Sequence, residues 1–139
     1  MIYLGLDYGS KTLGLAISDK TALIATSLDV LRYTTLDELF DKLDIVVKEK
    51  NVDAFVLGNP LNLDGSFSKR CEETQKFKEL LEKRYNKKIY MQDERLSTVE
   101  AQNLLISNST RRKKRKKVVD KIAATIILQS YLDRSNNEK

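Results

Sequence analysis

Three short apolar segments occupy the beginning of the chain: IYLGLDY (residues 2–8), LGLAISD (13–19) and ALIATSLDVLRY (22–33). Short apolar runs bounded by turn residues are typical of β-strands. The Gly-containing turn GSKT between the first two predicts an antiparallel hairpin. A chain that begins with three successive strands is therefore expected to build a sheet whose first part is antiparallel.

Helical and strand-like segments alternate after the third strand. A helix is predicted within residues 34–51, where Leu36, Leu39, Phe40, Leu43, Val46 and Val47 recur at helical spacing. Thr35 and Glu38 form a capping box at its start. A buried strand over 52–60 follows, then a helix from Ser66 or Ser68 to about Tyr85. Its expected core stripe is Phe67, Cys71, Thr74, Phe77, Leu81 and Tyr85.

The last third of the chain adds one more strand and two helices. KKIYMQDE (87–94) is the strand, and STVEAQNLLIS (97–107) is a short helix. A basic loop, a helix from about Val118 to Leu132 and a flexible tail over 135–139 complete the chain. The order β-β-β-α-β-α-β-α-α predicts an α/β protein with a five-stranded mixed sheet and helices on both faces. We expect a single domain over residues 1–134.

The composition excludes several kinds of active site. The chain has no histidine and one cysteine, Cys71. It therefore lacks a Ser-His-Asp or Cys-His pair, a His-based zinc site and an intrachain disulfide. Catalysis would depend mainly on Asp, Glu, Lys or Tyr, and oxygen ligands favour hard cations such as Mg²⁺ or Mn²⁺. The apolar runs are too short to cross a bilayer and the start lacks a signal peptide pattern, so we expect a cytoplasmic protein.

The positive charge of the chain is concentrated in one segment. The net charge is +5, and seven basic residues follow one another without interruption: Arg111, Arg112, Lys113, Lys114, Arg115, Lys116 and Lys117. Without these seven, 18 basic residues remain against 20 acidic ones, a net charge of −2. The segment is either a solvated loop or a binding site for the phosphates of a polyanion.

Acidic residues in three separate places are candidates for catalysis. Asp7 lies inside an apolar strand, where a carboxylate is costly to bury without a partner, although it could cap the turn that follows. Asp93 and Glu94 end the fifth strand, and they are either functional or solvated acids held by Arg95. Asp120 lies at the margin of the apolar face of the last helix, or complements the helix dipole.

Together these acids predict a metal site. Clustered carboxylates can hold two divalent cations, which stabilise the attacking and leaving oxygens of a phosphodiester. Successive strand residues point to opposite faces of a sheet, so only one of Asp93 and Glu94 is expected to face this site. The basic segment directly before Asp120 fits a substrate rich in phosphate. Lys11, in the first turn, and Arg95, directly after Glu94, are further candidates for a phosphate contact.

Four motifs resemble those of the YqgF/RuvX family, whose members are described as Holliday junction resolvases and as pre-16S rRNA nucleases. They are DYGSKTLGLAISD, GNPLNLDGS, DERLST and VDKIAATIILQSYL, in the order and spacing of the family. The resemblance spans nearly the whole chain. The last two motifs together are specific, whereas the first also occurs in actin-like ATPases and sugar kinases. The chain has an Asn at position 59, where the family usually has an apolar residue.

The resemblance implies a ribonuclease H-like fold and divalent-metal nuclease chemistry, with Asp7, Glu94 and Asp120 as metal ligands. Glu94 is preferred to Asp93 for its longer reach, and Asp93 is either the substitute or a residue behind the metal ligands. The implied substrate is structured nucleic acid: the 5′ end of pre-16S rRNA within the small-subunit precursor, or a four-way DNA junction, which would favour a dimer over a monomer. A catalytically weak RNA-binding factor is the alternative from another functional class.

Overall fold

The structure is a computed structural model that describes residues 1–61, 64–94 and 112–137, without the side chains of 112–121 and 137. The elements are β1 (Tyr3–Tyr8), β2 (Thr12–Ser18), β3 (Ala25–Arg32), α1 (Leu36–Glu49), β4 (Ala54–Asn59), α2 (Lys69–Tyr85), β5 (Ile89–Asp93) and α3 (Arg112–Asn137). The predicted order of strands and helices is confirmed in these parts of the chain. The helix predicted over 97–107 lies outside them.

The five strands form one mixed sheet in the order β3-β2-β1-β4-β5. The first three strands pair antiparallel, as the turn chemistry predicts, and β1, β4 and β5 run parallel. The parallel strands bring the carboxyl ends of β1, β4 and β5 to one edge of the sheet. The sequence places Asp7, Gly58 and the Asp93–Glu94 pair at these ends.

Two hydrophobic clusters cover the two faces of the sheet, as predicted. The larger one lies under α1 and α2, and includes Leu6, Leu57, Phe40 and Phe77. The second lies under α3, and consists of Ala16, Val56, Ala124, Ile127, Leu128, Tyr131 and Leu132 with partly buried neighbours. Gly5 allows the close approach of α3, because a Cβ at this position would lie 2.7 Å from the Cβ of Leu128.

The capping predictions for α1 and α2 are confirmed with one change. The Glu38 amide donates to the Thr35 hydroxyl, but the Glu38 carboxylate accepts from Thr34 and not from Thr35. Ser68, and not Ser66, is the N-cap of α2. Phe67 therefore precedes the helix and leaves the predicted core stripe, and its side chain is 63% exposed.

The last helix is longer than predicted at both ends. It begins at Arg112 and ends at Asn137, and the side chain of Asn136 donates to the carbonyl of Ala22. Residues 112–117 are therefore helical, which corrects the predicted basic loop, and 135–137 belong to the helix and not to a tail. The physical reason is that Lys and Arg are good helix formers, so a basic run can continue an apolar helix.

Candidate active site

Asp7 and Glu94 meet at the carboxyl edge of the parallel strands. Asp7 is half-buried near the end of β1, and Glu94 is half-buried directly after β5. The Glu94 amide donates to the carbonyl of Asn59, 3.2 Å away, which attaches this residue to the end of β4. The carboxyl groups of Asp7 and Glu94 hydrogen-bond each other. The fold thus brings together two acids from opposite ends of the sequence.

Gly58 provides the space for the Glu94 carboxyl group. A Cβ at position 58 would lie 2.3 Å from Glu94 Oε2 and 2.8 Å from Ile127 Cδ1. Both distances are shorter than real Cβ contacts, so no other residue fits here without movement of its neighbours. Ile127 is buried and lies on the same side of the sheet. Glu94 is therefore held between the sheet and α3.

The strand register explains why Glu94, and not Asp93, meets Asp7. On β5, Gln92 pairs with Gly58 and Asp93 pairs with Asn59. On the other side of β4, Leu57 pairs with Leu6, so Gly58 is one residue beyond Leu57 just as Asp7 is one residue beyond Leu6. Since side chains alternate along a strand, Asp7, Gln92 and Glu94 lie on the α3 face, and Asp93 lies on the α1–α2 face. Asp93 is nevertheless close enough for its charge to act on Glu94.

The environment of Glu94 disfavours its charged form. Burial is the largest cause of a shift that takes the pKa of Glu94 from an ordinary value of 4.5 to about 8, and the nearby charge of Asp7 contributes to this shift. The positive charge of Arg70 opposes it by favouring the carboxylate. Two acids that cannot easily be ionised together are well suited to a cation, because a cation removes their repulsion.

Other polar groups near this edge support an oxygen-rich site. Among the described residues, the side-chain oxygen of Gln92 is buried without a hydrogen-bond partner, and so is that of Asn59, which lies with Asp93 on the opposite face. Gln92 lies in register with Gly58 on the α3 face, so an unsatisfied neutral oxygen accompanies the two carboxyl groups. Carboxyl and amide oxygens are the ligands that Mg²⁺ and Mn²⁺ prefer. These groups therefore fit a hard divalent cation.

Asp120 lies on α3, two turns before Ile127 and one turn before Ala124. Tyr131 contacts Tyr3, and Leu128 lies over Gly5, so α3 runs antiparallel to β1, and its earlier turns lie towards the end of β1 that carries Asp7. The helix backbone is thus oriented for Asp120 to approach the two acids. The side chain of Asp120 is not among those that the structure describes. Among the side chains that it does describe, no group of three or more Asp, Glu, His or Cys is placed to hold a metal ion.

The structure describes some of the basic residues predicted to contact phosphate, and others lie outside the described part. Lys11 is exposed in the turn after β1, at the same edge of the sheet as Asp7. Residues 112–117 form the first turns of α3. Arg95 and Arg111 lie outside the described residues. The structure adds Arg70, which sequence reasoning missed: its Nη2 donates to the carbonyl of Tyr8, 3.1 Å away.

Comparisons with known proteins agree with this architecture. The model of the RuvX family, described as Holliday junction resolvase, matches residues 1–134. A Bacillus cytotoxicus protein provisionally named pre-16S rRNA nuclease is 45% identical over 135 residues, covering 96% of this chain and 98% of that protein. A Halothermothrix orenii protein of the same name is 42% identical over 136 residues, covering 98% of this chain and 97% of that protein.

Solved structures share the fold at low sequence identity. RuvC of Thermus thermophilus, in complex with a Holliday junction substrate, has a TM-score of 0.56 at 12% identity and covers 97% of this chain and 96% of that one. The fowlpox virus Holliday junction resolvase has a TM-score of 0.57 at 16% identity, covering 96% and 99%. The resemblance and the ribonuclease H-like fold are both confirmed.

Proposed function

This chain belongs to the RuvX family, and from that membership we propose that it is a divalent-metal-dependent endonuclease that processes the 5′ end of pre-16S rRNA in the cytoplasm. A nuclease activity agrees with the names of the relatives and with the fold. The observation that carries the proposal is the contact between the carboxyl groups of Asp7 and Glu94 over Gly58.

Among the described residues, no helix has the length and apolarity to span a membrane.

In the proposed site, Asp7, Glu94 and Asp120 hold Mg²⁺ or Mn²⁺, with two ions as the expected number. Such cations, when bound, supply a Lewis acid and lower the pKa of water to generate a nucleophile. The protein orients the ligands: Gly58 leaves room for Glu94, and the Asn59 carbonyl holds the Glu94 backbone. Ile127 and Ala124 close the apolar side of the site against water. Asp93, on the other face of the sheet, is proposed as a substitute for Glu94 or as a residue behind the metal ligands.

The helical start of α3 supports nucleic acid as the substrate. Six basic residues occupy positions 112–117, and the first turn of this helix has no acidic residue. Positive charge at a helix N-terminus interacts unfavourably with the helix dipole and destabilises the helix by about 0.3–1 kcal/mol for each such residue in the first turn. A phosphate backbone alongside these residues would offset that cost, and it would bind independently of base sequence. Arg95, Arg111 and Lys11 are the remaining proposed phosphate contacts.

Cleavage assays with purified protein test the proposal. The substrates are an RNA with the 5′ leader and first helix of 16S rRNA, and a four-way DNA junction, each with Mg²⁺ or Mn²⁺ and with EDTA. We expect metal-dependent cleavage of the RNA, with at least a hundredfold loss of rate in Asp7→Asn, Glu94→Gln and Asp120→Asn. Asp41→Asn, an exposed Asp on α1, is the matched control. Equal rates in Asp7→Asn and wild type would refute the metal-site mechanism.

A four-way DNA junction is the alternative substrate, favoured by the family description and by the resolvase fold. Symmetric cleavage of the junction by a homodimer would support it, whereas a monomer that does not bind junctions would exclude it. RNA binding that persists in EDTA, without cleavage under either metal, would instead identify an RNA-binding factor. The same set of assays distinguishes all three functions.

A further inference from the structure

Arg70 lies at the rim of the candidate site, although its position in the sequence does not suggest it. It belongs to the first turn of α2, after the N-cap Ser68. Its side chain reaches from α2 to β1, where Nη2 donates to the carbonyl of Tyr8, the residue after Asp7. Its charge acts on the Glu94 carboxyl group. The guanidinium group is therefore near both acids of the site.

The guanidinium group keeps donors for a ligand. Arginine has five N–H donors in a rigid planar fork, and Tyr8 accepts from one of its terminal nitrogens. Arg70 is exposed, so these donors are open to a molecule that approaches the edge of the sheet. Such a fork matches two oxygens of one phosphate, which a lysine ammonium group cannot do with the same geometry.

A contrast with Arg84 on the same helix shows that the surroundings of Arg70 are unusual. Arg84 uses two of its nitrogens on the carboxylate of Asp44, so its charge is paired and its fork is occupied. Arg70 instead donates to a neutral carbonyl group. Its charge also acts on Glu94, whose own negative charge would be neutralised by a bound cation. The positive charge of Arg70 is then left for the substrate.

We propose that Arg70 is a substrate-binding residue that donates two N–H groups to the non-bridging oxygens of a nucleic-acid phosphate beside the Asp7–Glu94 pair. This inference rests on the proposed nuclease function. The bond to Tyr8 fixes the stem of the side chain, and the fork presents its remaining donors to the phosphate. Arg70 thereby offsets the repulsion between the acids and an incoming phosphodiester.

The test compares Arg70→Gln with Arg70→Lys and with the matched control Arg84→Gln. The probes are the labelled precursor RNA and the four-way junction, bound in Ca²⁺ and followed by fluorescence anisotropy at several salt concentrations. We expect Arg70→Gln to bind about tenfold more weakly than wild type, with the salt slope smaller by about one. Arg70→Lys should bind more tightly than Arg70→Gln but less tightly than wild type, with the same salt slope as wild type. Arg84→Gln should bind like wild type.

Two further measurements separate substrate binding from a structural role. Arg70→Gln should bind Mn²⁺ at least as tightly as wild type in calorimetry, because removal of a positive charge next to the acids favours a cation. Its Tm should fall no further than that of Arg84→Gln. Wild-type affinity and salt slope in Arg70→Gln would overturn the inference even if wild type cleaves RNA. A wild-type protein that neither binds nor cleaves either probe would instead refute the proposed function.

Discussion

The Glu94 carboxyl group occupies the space that a side chain at Gly58 would need: a Cβ at position 58 would lie 2.3 Å from Glu94 Oε2. Glu94 is able to face Asp7 because β4 has no side chain at this position. The carboxyl group is the flexible end of its side chain, so a methyl group at position 58 would move it more easily than it would move the strands. The geometry of the candidate site is thus expected to be more sensitive to a substitution at position 58 than the stability of the fold.

Gly58→Ala is therefore expected to lose at least tenfold in cleavage rate with a free energy of unfolding lower by about 1–2 kcal/mol. Gly5→Ala is the contrasting variant, because its Cβ would lie 2.7 Å from Leu128 Cβ and 3.1 Å from the Ala124 carbonyl oxygen, atoms that cannot move without α3. It should lose more stability than Gly58→Ala. Single-turnover kinetics and urea denaturation measure the two effects. A wild-type rate in Gly58→Ala would contradict the proposed role of Glu94.

The raised pKa of Glu94 predicts how the stability of the metal-free protein depends on pH. Folded Glu94, with its pKa of about 8, keeps a proton that the unfolded chain loses near 4.5. Between these two values the folded state binds more protons than the unfolded state, so stability falls as pH rises. Wild type in EDTA should have a lower Tm at pH 8 than at pH 5.5, and Glu94→Gln should lose most of this difference.

Mn²⁺ is expected to reverse this loss at pH 8, because a bound cation favours ionised carboxyl groups and stabilises the folded state. The Tm of wild type should rise with Mn²⁺ concentration, and that of Asp7→Asn should rise much less. If Glu94→Gln keeps the full wild-type pH dependence in EDTA, another group is responsible for it.

The basic turns of α3 predict an affinity for RNA that depends on salt concentration. Removal of their charge should weaken binding without unfolding the protein. Replacement of Lys113, Lys114, Lys116 and Lys117 by Gln keeps good helix formers, so the helix should persist in circular dichroism. The affinity for the precursor RNA should fall at least tenfold, and the slope of log K against log salt should decrease by about three to four. Four lysines on other surfaces, Lys20, Lys48, Lys76 and Lys83, changed to Gln serve as the control. Equal slopes in the two variants would argue against a phosphate-binding role.

The interaction of Asp44 with Arg84 and Tyr85 predicts a stability effect remote from the site. Asp44 on α1 accepts from Arg84 Nε at 2.9 Å and from the Tyr85 hydroxyl at 2.6 Å, both on α2. The bond from Arg84 lowers the pKa of Asp44, so this stabilisation is present above the ordinary value of 3.8 and is lost as pH falls through the folded value. Asp44→Asn should lower Tm by a few degrees at pH 7, by less at pH 3, and leave cleavage unchanged.

Residue patterns were sufficient to predict the order of the described strands and helices, and to single out Asp7 and Glu94 as two candidate acids that the fold brings to one edge. Strand alternation also limited the choice at the end of β5 to one of Asp93 and Glu94. The start of α3 was missed, because the basic run has no apolar periodicity and no capping residue or turn signal separates it from the apolar helix. Periodicity in apolar residues identifies the part of a helix that packs, and not a solvated extension of it.

The sequence by itself determined the type and order of the described elements, although not every boundary, because local spacing and turn chemistry depend only on neighbouring residues. Only the tertiary structure decided that Glu94 contacts Asp7, since this contact depends on the register of β4 against β5 and on the missing side chain of Gly58. The same holds for Arg70, one of 25 basic residues in the chain. What distinguishes it is a bond to Tyr8 across the fold, and such long-range contacts leave no local pattern in the sequence.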